Sequence, residues 1–179
     1  MDYRKLARDL LIAPVEEIDG VLETPHTDRS RSVDQTTIAF SEKWSHPFSS
    51  AIGDEWMSAQ LKWYLTLYGY GVESNLAQHL QHSSVVLDAG CGTGYKAAWF
   101  AGLAPNTLIL AMDLSESVYE AARKYEDIPN LVFLHGDIAR TNLRDQSVDF
   151  ITCDQVLHHT VSPPATLTEF HRISSPGAY

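Results

Sequence analysis

The chain has 179 residues, enough for one domain and an appendage, and its 44% hydrophobic content can fill a core. Lys plus Arg number 13 against 23 for Asp plus Glu, a net charge of −10, so the surface repels phosphate backbones and broad electrostatic binding of nucleic acid is not expected. Cys91 and Cys153 make no disulfide framework and read as buried free thiols in a reducing cytoplasm.

The N-terminus lacks the basic head and sustained apolar run of a secretory signal, and no stretch approaches the roughly 18 apolar residues of a membrane span. "DYRKLARDLLIA" puts Leu6, Leu10 and Leu11 on one stripe of a short helix ended by Pro14. Residues 24–37 are polar, lack periodicity and read as a loop. In the following segment Phe40 and Trp44 share a face if it is helical. A second helix begins near Asp54 and stops at Gly69 and Gly71. It carries Trp56, Trp63, Tyr64, Leu67 and Tyr68, which suit either a helix packed on the core or one wall of a substrate pocket. "VESNLAQHLQH" is a third helix, burying Val72, Leu76 and Leu80.

From residue 84 short apolar runs alternate with helical segments: "SVVLDAG", "TLILAMD", "LVFLHGD" and "VDFITCDQ" are strands, and helices follow the first, second and fourth. The first three are continuous apolar runs, as in a parallel sheet covered on both faces. The pattern is α/β with right-handed crossovers. In such a sheet ligands bind beyond the carboxyl ends of the strands, where Asp88 to Gly94, Asp113, Asp137 and Asp154 fall.

The loop Asp88-Ala-Gly90-Cys91-Gly92-Thr-Gly94 allows positive φ and close backbone approach, and the next helix aims its free N–H groups at a ligand. A dinucleotide site uses G-x-G-x-x-G. Here the spacing is G-x-G-x-G, and Tyr95 stands at the third dinucleotide position. Asp88 would repel a pyrophosphate and suits a cationic tail. No Walker-type G-K-[ST] follows. Asp113 can accept from ribose hydroxyls and Asp137 from an exocyclic adenine amine. Three carboxylates with no Lys or Arg in the loop before Lys96 describe S-adenosylmethionine: an adenosine with a cationic tail and no phosphate.

"VVLDAGCGTG", "LAMDLSESVYEAARK", "FLHGDIARTNLRDQSVDFITCDQVLHH" and "TEFHRISSPGAY" resemble, in order and spacing, the motifs of class I S-adenosylmethionine-dependent methyltransferases. The likeness is to the small-molecule branch related to the ubiquinone/menaquinone enzymes. It covers roughly residues 72–179. It implies a Rossmann-like doubly wound parallel sheet, core order 3-2-1-4, behind an N-terminal helical lid or extension over residues 1–71. By position, Asp88, Gly90, Cys91, Gly92 and Gly94 would surround the methionine part and ribose. Asp113 would bind the ribose hydroxyls, and Leu114 would pack on adenine. Asp137 and the Ile138 backbone would hold the adenine edge, with Asp154 and Gln155 beside the sulfonium. Phe40, Trp44, Trp56 and Tyr64 are candidates for lid and substrate wall.

His158 is a candidate general base. Metal binding and a plain loop-shaping role are the alternatives for His158-His159; no metal is assigned, because adjacent histidines do not by themselves converge on one ion. The family's sheet normally has seven strands in the order 3-2-1-4-5-7-6, and four are countable here. A chain cut before the fifth strand is therefore expected, leaving residues 148–154 as a bare edge that recruits a second copy into a homodimer or larger assembly. The leading expectation is a cytoplasmic enzyme passing a methyl group to a small-molecule acceptor, with S-adenosylhomocysteine as product and no nucleic-acid or membrane partner. A nicotinamide-binding oxidoreductase domain and a non-catalytic, self-associating cofactor-binding fragment are the alternatives.

Overall fold

In the computed structural model, residues 1–25 and 50–179 are described; Phe40 and Trp44 lie outside them. Asp2 caps the first helix, α1 (Tyr3–Asp9), by accepting the Lys5 N–H at 2.9 Å. Its buried face is Tyr3, Ala7 and Leu11, with Leu6 and Leu10 half-buried beside it. The expected leucine stripe is therefore rotated toward Ala7, whose small side chain lets the helix sit close to the sheet. Strands β1 (Glu16–Ile18) and β2 (Val21–Glu23) form an antiparallel hairpin that turns at Asp19 and Gly20, both at positive φ. Residues 1–71 thus contain strands as well as helices. Among the described residues of that stretch the helices are α1 and α2 (Ser50–Leu67), and α3 (Glu73–Gln81) follows. Gly71, at φ 73°, ends the α2 turn by donating its N–H to the Leu65 carbonyl at 3.0 Å.

The expected alternation follows: β3 (Val85–Ala89), α4 (Tyr95–Leu103), β4 (Leu108–Asp113), α5 (Ser117–Lys124), β5 (Leu131–His135), β6 (Phe150–Thr152) and α6 (Pro163–Ile173). The sheet order is β1-β2-β5-β4-β3-β6, parallel throughout except β1. Its β5-β4-β3-β6 part is the expected 3-2-1-4 core. The hairpin extends it, with β2 running parallel beside β5.

Burial on both faces explains why β3, β4 and β5 read as unbroken apolar runs. Ile109, Ala111 and Phe133 face one layer with Phe100, Val118 and Leu76. Leu108, Leu110, Met112 and Leu134 face the other, with Leu11, Phe170 and Ile173. The parallel direction brings the carboxyl ends of β2 to β6 to one edge, where Asp88, Asp113, His135 and Thr152 gather.

The expected bare edge at residues 148–154 is not what the structure has. After α6 the chain returns past Gly177, at φ 84°, along β6. Ser175 N–H donates to the Val148 carbonyl, Tyr179 N–H to that of Asp149, and Ile151 N–H to that of Tyr179, each at 2.9 Å. The Tyr179 ring stacks on Phe150 at 5.5 Å. Edge backbone groups gain by pairing, and the nearest available donor and acceptor groups belong to the same chain.

Candidate functional site

The glycine loop fills the gap between β3 and α4. Gly90, Gly92 and Gly94 sit at φ 84°, 53° and 73°, a region that costs a residue with a Cβ energy. Gly90 also has no room for one, because it would run into the Val156 side chain; at Gly94 it would meet Phe133 Cε1 at 2.9 Å. The loop is pinned from β4: Gly90 and Cys91 N–H groups donate to the Met112 carbonyl at 2.8 and 3.0 Å. Gly94 opens α4 with no side-chain cap, so the helix's first N–H groups face the loop.

Asp88 lies at the base of this cradle, fully buried, and neither carboxylate oxygen has a hydrogen-bond partner. A buried carboxylate without a hydrogen bond is expensive. Burial pushes its pKa up to about 6; the nearby Lys96 ammonium only partly offsets this. Lys96, the second residue of α4, turns inward from a helix that otherwise reads "Y-AAWFAGL". Its ammonium is 3.1 Å from Asp154 Oδ2 and 3.8 Å from Asp88 Oδ1, and 5.5 Å from the centroid of the Tyr64 ring. Burial works against that charge, but Asp88 and Asp154 outweigh it and hold the Lys96 proton more firmly than water does.

Asp113 serves the loop itself. Its Oδ2 accepts the Gly92 N–H at 2.7 Å, and its Oδ1 accepts the Ser115 N–H at 2.8 Å and the Ser115 hydroxyl at 2.7 Å. With about four lone-pair sites on a carboxylate, roughly one remains, on Oδ2. Leu114 is half-buried, and its carbonyl faces Nε2 of His135 at 3.1 Å. Asp137 Oδ1 accepts the Ala139 N–H at 2.8 Å, beside the buried Ile138. Cys91 is buried in the loop, and burial pushes its thiol well up.

At the β6 end, Asp154 turns into the site and uses both oxygens, one toward Lys96 and the other accepting the Tyr68 hydroxyl at 2.9 Å. Gln155 takes up a positive φ of 58° and is exposed. His158 and His159, in a short 3-10 turn (Leu157–His159), are exposed with ring centroids 3.9 Å apart. The aromatic helix α2 divides its residues between the two readings. Tyr64 is buried, and its hydroxyl is 3.0 Å from that of Thr152. Trp56 meets the Tyr95 ring edge-on at 5.8 Å. Tyr68 reaches Asp154, while Trp63 and Leu67 remain exposed.

The structure therefore brings Asp88, the three glycines, Cys91, Asp113 and Asp154 around one cradle, with Leu114, Asp137 and Ile138 along the same sheet edge. Sequence reasoning missed the inward turn of Lys96 and the reach of Tyr68. The signal for Lys96 was a lone charge on a helix with no polar face.

A family model described as a methyltransferase domain matches residues 87–179. An uncharacterized chloroplastic methyltransferase of Arabidopsis thaliana is 34% identical over 99 residues, covering 51% of this chain and 28% of the relative. The malonyl-[acyl-carrier protein] O-methyltransferase of Yersinia pestis is 36% identical over 98 residues, 54% of this chain and 35% of the enzyme. The chain thus spans about a third of the length of these curated relatives. Among solved structures, a protein put forward as an S-adenosyl-L-methionine-dependent methyltransferase from Methanococcus maripaludis shares the fold with TM-score 0.54 and 20% identity, over 59% of this chain and 50% of that one.

Proposed function

This chain belongs to the methyltransferase domain family, and from that premise we propose that it binds S-adenosylmethionine in the glycine cradle and serves methyl transfer to a small-molecule acceptor. One observation carries the reading: Asp88 is fully buried beneath three positive-φ glycines with no hydrogen bond on either oxygen. Such a carboxylate needs a cation that the fold itself meets only at 3.8 Å, through Lys96. A ligand ammonium fits that need; a pyrophosphate does not.

The residues of the cradle fit the cofactor. Asp88 would receive the ammonium. Gly90, Cys91, Gly92 and Gly94 present backbone where the tail and ribose would lie. The remaining lone pair of Asp113 has room for one ribose hydroxyl. Leu114 offers an apolar surface for adenine, and Asp137 with Ile138 its hydrogen-bonding edge. When bound, the donor supplies a methyl group already activated on a sulfonium, so placing the acceptor in line supplies much of the acceleration. Asp154, engaged by Lys96 and Tyr68, acts as a fixed negative charge beside the sulfonium rather than as a base, with Gln155 next to it in the chain at positive φ. His158, exposed beyond the β6 end, is the group best placed to take a proton from an acceptor hydroxyl or thiol.

The malonyl-[acyl-carrier protein] relative, an O-methyltransferase, favours a small acyl group with oxygen as the acceptor atom as the class to try first. Two free cysteines accord with a cytoplasmic setting. Pairing of two copies through β6 has little support, since the chain's own residues take that edge. Titration calorimetry tests the reading: S-adenosylhomocysteine is expected to bind and NADH not to, and the reverse outcome refutes it.

A further inference from the structure

We infer that Lys96 is a specificity-determining residue that reads the α-carboxylate of the ligand's amino-acid tail, making Asp88 and Lys96 together a receptor for a zwitterion. This rests on the donor reading above and deepens it. Asp88 and the Lys96 ammonium stand 3.8 Å apart, beyond hydrogen-bond reach, with side chains 0% and 8% exposed. Each is under-satisfied. Asp88 has no hydrogen bond on either oxygen. Lys96 gives one of its three N–H donors to Asp154 and rests a second flank against the Tyr64 ring. An α-amino acid carries its ammonium and carboxylate on a single carbon. That spacing matches, in reverse, a carboxylate and an ammonium held this close. The ammonium of such a ligand satisfies Asp88 and its carboxylate takes the free N–H groups of Lys96, so both buried charges gain the charge-assisted bonds the fold leaves unmade.

Asp154 has a supporting part. By fixing Lys96 at 3.1 Å it keeps the ammonium from closing onto Asp88 and filling the gap intended for the ligand. A nucleoside thioether lacking the carboxylate leaves Lys96 as it is and forfeits that contact.

The test is titration calorimetry of the whole chain with S-adenosylhomocysteine and with its decarboxylated analogue, S-adenosyl-3-thiopropylamine. Wild type is expected to prefer the former by roughly ten- to hundredfold, the range of a hydrogen bond between charged groups. Lys96→Gln, which keeps an amide for Asp154, should erase that preference by weakening S-adenosylhomocysteine more than the amine, and Lys96→Arg should restore most of it. Equal loss for both ligands in Lys96→Gln makes Lys96 merely structural and overturns the inference. So does equal binding of both by wild type, a comparison that needs no variant to fold. Binding of neither ligand by wild type overturns the donor reading itself and this inference with it.

Discussion

Asp88→Asn separates binding from folding in one substitution. The fold raises the Asp88 carboxyl from its ordinary 3.8 to about 6, and this already includes the help of Lys96. At about 1.4 kcal/mol per pH unit, keeping Asp88 ionised costs the fold about 3 kcal/mol. Asn has nearly the same shape without the charge and should return most of that. The sign follows from proton binding. Between about pH 4 and 6 the unfolded chain has released the Asp88 proton while the folded chain retains it, so wild-type stability falls as pH rises through this window. Above about pH 6 the penalty is constant. Asp88→Asn should therefore be the more stable protein by about 2–3 kcal/mol near pH 8, with the advantage shrinking to nothing near pH 4. Its affinity for S-adenosylhomocysteine should drop by roughly ten- to hundredfold, because the ligand ammonium loses its anion. Urea denaturation of both proteins across pH gives the first quantity and calorimetry the second. A variant less stable than wild type near pH 8, or one that binds the ligand as tightly, refutes the account of Asp88 as a carboxylate kept unsatisfied for a cation.

The remaining predictions concern the loop, the far face and the thiols. Gly90→Ala forces a Cβ into positive φ and against Val156, and should lower stability by about 1–3 kcal/mol in thermal or urea unfolding. Gly102→Ala, with open space around its Cβ and inside α4, should be neutral to stabilising by up to about 1 kcal/mol in the same assay. Burial works against the Glu169 carboxylate, but bonds from Arg172 and from both the Thr141 N–H and hydroxyl hold its pKa below the usual range. The stability it lends is present above the ordinary carboxylate pKa and is lost as pH falls through the lowered one. Glu169→Gln should therefore be destabilising at neutral pH and approach wild type in acid, measured by urea midpoints. Burial pushes the Cys153 thiol up to about 11 and the Cys91 thiol well above its ordinary value, so alkylation near pH 8 should be slow for both in the native chain and fast in denaturant. Fast native labelling of Cys91 would show a loop more open than described.

Much of this protein is local and therefore written into neighbouring residues. The strands β3 to β5 follow from continuous apolar runs, since both faces of each are buried. The glycine loop follows from its spacing, since three glycines in five residues mean a backbone that must turn through positive φ. The placement of Asp88, Asp113, Asp137 and Asp154 at one edge follows from strand direction alone. What stayed hidden depends on pairings across the chain. β2 lies beside β5, more than a hundred residues away, and the three-residue strand Val-Leu-Glu has too little pattern of its own to announce that docking. Leu6 gave way to Ala7 on the buried face of α1 because closeness to the sheet, not hydrophobicity alone, set the helix's rotation. Tyr179 returned to pair with β6 because unpaired backbone seeks the nearest donor. Lys96 turned inward because Asp154, 58 residues later, stands where its ammonium can reach. Sequence periodicity records which face of an element is apolar. It does not record which distant charge that face will meet, and at this site that meeting decides what the cradle can recognise.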